Sequence, residues 1–74
     1  MNVEVIKTIR RMSNLDQIEF SEKVGISFSL VGKIESGNAS LTKRTVSKIM
    51  HAFRLTEQDI ADLESVVEHL KKEQ

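Results

Sequence analysis

The side chains of this sequence that could do chemistry are few, and their spacing argues against catalysis. His51 and His69 stand far apart, there is no Cys, and no second imidazole lies at ligand spacing, so no metal site is expected. Gly25, Gly32 and Gly37 are too widely separated to cradle a phosphate, and neither a Ser/His/Asp set nor a P-loop is present. Glu64, Glu68 and their neighbours read as a solvated helix face. The sequence therefore predicts no enzyme and no cofactor. What remains is the chemistry of cations. Formal net charge is zero, yet residues 1–54 hold nine Lys and Arg against five Asp and Glu, a balance of +4. Residues 55–74 hold two against six, a balance of −4. A basic body with an acidic tail fits a face that binds a polyanion and keeps its own ends away from it. A solvated surface with a chance asymmetry fits the same numbers.

The elements that would position such a face are helices. At 74 residues the chain makes one small domain with a marginal core, unaided by disulfides. The lack of Cys suits a reducing cytosol. The sequence shows neither an apolar run of membrane-spanning length nor a basic, then apolar, leader. A soluble cytoplasmic protein is expected. Proline is absent and β-type alternation is scarce. Val5, Ile6, Ile9 and Met12 form a helical stripe from about residue 3 to 12, with Glu4 near its start and Arg10 and Arg11 near its end, as the helix dipole prefers. Asp16 is placed to cap a second helix, whose apolar side is read as Ile18, Phe20, Val24 and Ile26, and which Gly25 can end.

Ser27 caps a third helix with Val31 and Ile34 inward, and Gly37 stops it. Thr42 caps a fourth, with Val46, Ile49, Met50 and Phe53 as its buried stripe. "TEQD" at Thr56 opens a fifth helix, about 57–72, with Ile60, Leu63, Val67 and Leu70 spaced by three and four. The expected fold is all-α, a single five-helix domain over residues 1–74.

Two helices joined across Gly25 by about four residues make a helix–turn–helix, a unit that lays its second helix in the DNA major groove. Gly25 permits the positive φ of the turn, small Ser21 lets the helices approach, and Val31 pins the second helix to the body. Residues 28, 29, 32, 33 and 36 are left facing outward.

The run "LDQIEFSEKVGISFSLVGKIESG" resembles the Cro/phage-repressor (Xre-type) helix–turn–helix, whose usual pattern is close to L-T-Q-x-x-L-A-x-x-x-G-V-S-x-x-x-I-S-x-I-E-x-G. The likeness holds without a gap from Leu15 to Gly37, with the helix–turn–helix itself at about 16–36. It continues through Thr42 to Phe53, Leu55 and Thr56 in an "L-G-V-S"-like ending. It implies a compact lambda-repressor-like, five-helix DNA-binding domain of a bacterial or phage-infected bacterial cell, acting as a homodimer on a two-fold operator in double-stranded DNA.

By the same resemblance, Gln17 matches a glutamine that holds the DNA backbone and buttresses the recognition helix. Ser27 matches the cap of that helix, and Phe28 and Ser29 match the positions that most often touch base edges. Lys33 matches an outward position able to reach a guanine or a phosphate. Ser36, Gly37 and Asn38 match the segment that offers hydroxyl and backbone N–H groups to phosphates. Lys43 and Arg44, opening the fourth helix, match residues facing the sugar-phosphate backbone or the minor groove. Arg10 and Glu35 stand where some members bury an ion pair joining helix 1 to the recognition helix.

The departure is Phe28, where the family usually carries a polar or basic residue. Three readings stay open. The ring packs back on Leu30 or helix 2, it touches a thymine methyl or a sugar, or it binds another protein. For helix 5, the seam Ile60, Leu63, Val67, Leu70 either packs wholly on the body or overhangs to pair with a second copy, and two heptads are too few for a coiled coil alone. The marginal size and the family habit favour the homodimer. Two functions compete: a sequence-specific transcriptional regulator, read as a repressor, or a protein-interaction module of the same fold, such as an antirepressor or a partner of a related regulator. A DNA-binding half whose effector domain is absent is a third.

Overall fold

The computed structural model describes residues 1–72. Five helices follow in order: α1 (Val3–Met12), α2 (Gln17–Val24), α3 (Phe28–Glu35), α4 (Lys43–Ala52) and α5 (Glu57–Lys72). No strand occurs among the described residues. Each helix opens on a side chain that satisfies one of its unpaired N–H groups, which is why the boundaries follow local sequence. Asn2 accepts from Val5, Asp16 from Glu19, Ser27 from Leu30, Thr42 from Thr45 and Thr56 from Asp59. Glu19 and Asp59 return the favour to the backbone N–H of Asp16 and Thr56, closing two reciprocal caps.

The first four helices end alike. One residue turns left-handed, and the next N–H reaches back to a carbonyl five residues earlier: Leu15 to Arg10, Ile26 to Ser21, Asn38 to Lys33 and Leu55 to Met50, at 2.8–3.1 Å. The left-handed residue is Gly25 or Gly37, both at φ 82, where glycine meets no Cβ penalty. At the other two ends it is Asn14 (φ 56) and Arg54 (φ 53). Leu15, Ile26 and Leu55, which follow the left-handed residue, all pack on the core. These three reversals thus both end a helix and anchor the next.

Val5, Ile6, Ile9, Phe20, Val24, Val31, Ile34, Ile49, Ile60 and Val67 form the buried core. Full burial of such a side chain stabilises by about 1.5–3 kcal/mol, which a chain this small cannot do without. α2 packs against α3 and α4, and α1 packs against α3 and α5. Phe20 and Phe53 stack with ring centroids 5.7 Å apart, and the Lys23 ammonium sits 5.3 Å from the Phe53 centroid.

Several apolar expectations need correction. Ile18 does not lie with Phe20 and Val24 but is 52 % exposed. It precedes Phe20 by two residues, about 200° around the helix, so burying Phe20 turns Ile18 outward. Met12, at the last position of α1, is 73 % exposed because no element covers that turn. The buried face of α4 is Thr45 and Ile49, with Val46 and Met50 only half-buried at its edges and Phe53, the residue after its end, half-buried against the core.

The α5 stripe also divides. Ile60 and Val67 are in the core and Leu63 packs against it, but Leu70 is 54 % exposed. At 1.5 Å per residue the 16 residues of α5 span about 24 Å, against about 15 Å for the 10 residues of α1 on which it lies. α5 is therefore longer than the helix it packs on, and Leu70 near its end stays half-exposed.

Candidate nucleic-acid interface

α3 carries the candidate site, and its two sides do different work. Val31 and Ile34 are buried, and Glu35 with them. Phe28, Ser29, Lys33 and Ser36 are exposed and Gly32 is half-buried, so the face expected to point outward does so. The Ser27 cap fixes where that face begins, since its hydroxyl accepts from the Leu30 N–H at 3.0 Å.

The inner side is held by a polar lock. The Arg10 guanidinium meets Glu35 with both prongs, Nε to Oε2 at 2.8 Å and Nη2 to Oε1 at 2.9 Å. Its remaining nitrogen, Nη1, donates to the Leu15 carbonyl at 3.1 Å. Gln17 Nε2 adds a third donor to Glu35 Oε1 at 3.2 Å. Side-chain exposure is 15 % for Arg10 and 5 % for Glu35, so the expected ion pair is present and sheltered. Burial alone would push the Glu35 carboxyl up. The hydrogen bonds from Arg10 and Gln17, with the charges of Arg10 and Lys7, outweigh it and hold the carboxyl below its ordinary value. The hydrogen bond to Glu35 raises Arg10 in turn. Three elements, α1, α2 and α3, are thereby fixed to one another beneath the exposed face.

Gln17 is half-buried and engaged with Glu35, which is the buttressing geometry. Beyond α3, Ser36 donates to the Lys33 carbonyl at 3.1 Å, and Asn38 Nδ2 donates to Ser36 at 2.9 Å, so this exposed loop is folded on itself. Lys43 and Arg44 are exposed in the first turn of α4. Phe28 is 52 % exposed, so its ring is not buried, and it lines a depression with Gln17 and Ile18 of α2. Leu30 packs on the core without it.

Lys48 was not singled out in the sequence, and it ties α4 to the turn. Its Nζ donates to the Gly25 carbonyl at 3.2 Å. No motif marks it, because the partner is a backbone atom 23 residues away. Ile18 was assigned to the core, yet it lies at the surface beside Gln17, lining one depression with Phe28.

An exposed helix, led by a glycine turn and braced by a buried ion pair, defines a helix–turn–helix unit. A family model described as helix–turn–helix matches residues 6–60, and the chain belongs to this Cro/repressor-type, Xre-like family of DNA-binding transcription regulators. No curated protein and no solved structure matches the chain. The matched span runs from α1 into the first turn of α5 and includes the whole polar lock. Among the described residues no helix is long and apolar enough to cross a membrane.

Proposed function

We propose that this protein is a sequence-specific transcriptional regulator of bacterial or phage type, acting as a repressor by occupying a two-fold operator with α3 in the major groove. The observation that carries the reading is the division of α3: Ser29, Lys33 and Ser36 are exposed on one side while Glu35 is locked to Arg10 and Gln17 on the other. A face presented by a rigid scaffold enters a groove without reorganising, so little binding energy goes into ordering it. Ser29, Lys33 and Phe28 read base edges, next to the Ser27 cap. Gln17, Ser36, Asn38, Lys43 and Arg44 contact phosphates and set the register. A homodimer with half-sites about 34 Å apart completes the operator contact.

Titration against fragments of the host genome tests this. A single preferred fragment with affinity falling steeply in salt is the expected result. Equal and weak binding to every fragment would reject it.

The exposed Phe28 ring favours one alternative, a protein-interaction module of the same fold that sequesters a related regulator. Phe28→Ala separates the two readings: it weakens the preferred DNA site in the first and protein capture in the second.

A further inference from the structure

Ile18 and Phe28 sit in the first turns of α2 and α3, and each is 52 % exposed. Together with Arg10, Asp16 and Gln17 they line one open depression of about 370 Å³. Each polar side chain around it already makes at least one hydrogen bond. Arg10 donates to both oxygens of Glu35 and to Leu15, Asp16 Oδ1 accepts from Glu19, and Gln17 Nε2 donates to Glu35. Beside these groups the depression offers a ligand the two apolar side chains of Ile18 and Phe28. Both apolar side chains are short of internal freedom, one being β-branched and the other a planar ring, and both rise from capped helix starts. Two large apolar side chains lining one depression are worth more attention than isolated exposed ones.

In the major groove only one of the four bases presents an apolar group, the C5-methyl of thymine. We infer that Ile18 and Phe28 form a notch that accepts a thymine methyl and so fixes a T·A pair in each half-site, opposite the start of α3. This rests on the operator-binding reading above and adds to it a residue, Ile18, that lies outside the recognition helix. Cytosine carries hydrogen at the same ring position and leaves the notch unfilled. One buried methyl makes about a four-fold difference in affinity.

The experiment starts by enriching duplexes from a random pool with the full chain, then replaces each thymine of the enriched site by deoxyuridine, which removes the methyl and nothing else. One thymine per half-site is expected to lose about four-fold in affinity on replacement. Ile18→Ala and Phe28→Ala, checked for folding by thermal scan, are expected to bind the thymine and deoxyuridine duplexes equally. An enriched site indifferent to every replacement overturns the notch while leaving the regulator reading intact, and points to contact with a deoxyribose instead. Variants that keep the full methyl sensitivity also overturn it. A pool that enriches no site overturns both readings, and loss of self-association in Phe28→Ala without any change on DNA assigns the ring to a protein contact.

Discussion

Arg10 on α1 and Glu35 on α3 face each other through two parallel hydrogen bonds of 2.8 and 2.9 Å, with Gln17 of α2 closing on the same carboxylate. A planar guanidinium matches a carboxylate in this way where an ammonium could not, which gives the contact direction as well as energy. The pair sits on the inward side of the helix whose outward side is offered to DNA. It sets the angle of that helix.

Removing one partner leaves the other as a sheltered charge without its counter-ion. Glu35→Ala is expected to destabilise the fold by about 3 kcal/mol, a large share of what so short a chain possesses. Urea denaturation measures it, and a midpoint unchanged within error would show that solvent already screens the pair.

The same carboxylate makes stability depend on acid. Its folded value lies below the ordinary 4.5, so the folded chain holds the ionised form more firmly than the unfolded chain does. The stabilisation is present in full above the unfolded value and is lost as pH falls through the lower, folded one. Denaturation midpoints of the native chain and of Glu35→Gln should therefore converge on acidification below about pH 4.5. A constant gap down to strong acid would contradict this assignment.

Arg54 occupies a left-handed position at φ 53, the place filled by glycine at two of the other helix ends. For a residue with a long side chain that conformation costs about 1–2 kcal/mol, partly recovered by its lower freedom when unfolded. Arg54→Gly is expected to raise stability by about 0.5–1 kcal/mol, read as a higher melting temperature. A lowered one would mean that the Arg54 side chain contributes more than its backbone costs.

Lys43 and Arg44 stand exposed at the opening of α4. If each neutralises one phosphate, Arg44→Ala should lower the slope of log affinity against log salt by about 1 and weaken all sequences alike. An unaltered slope would remove Arg44 from the interface.

Val66 and Leu70, four residues apart on α5, are each 54 % exposed. Of the apolar residues of α5 they are the ones open to a second copy, since Ile60 and Val67 are already in the core of the monomer. Leu70→Glu is expected to shift sedimentation from dimer to monomer with little change in melting of the isolated fold. A chain that sediments identically before and after the change does not pair through this end.

Much of the fold was legible because it is set by neighbours in sequence. Asp16, Ser27, Thr42 and Thr56 each bond a backbone group three residues on, so type and spacing alone locate four helix starts. Gly25 and Gly37 mark two helix ends for an equally local reason. Arg54 takes the same conformation without the residue type that advertises it, and its turn could not be read from φ preference.

The outward face of α3 was likewise fixed by period, because Val31 and Ile34 must go inward and that leaves Ser29, Lys33 and Ser36 outside. Which apolar residues stay uncovered was a tertiary decision. Met12 and Leu70 are as hydrophobic as their buried neighbours, and only the reach and placement of adjoining helices determine what covers them. The bonds from Arg10 to Glu35 and from Lys48 to Gly25 join residues 25 and 23 apart, distances over which no local preference acts. Caps and periods are contacts within a turn or two and are written in the chain, whereas coverage is a contact between elements and exists only once they have packed.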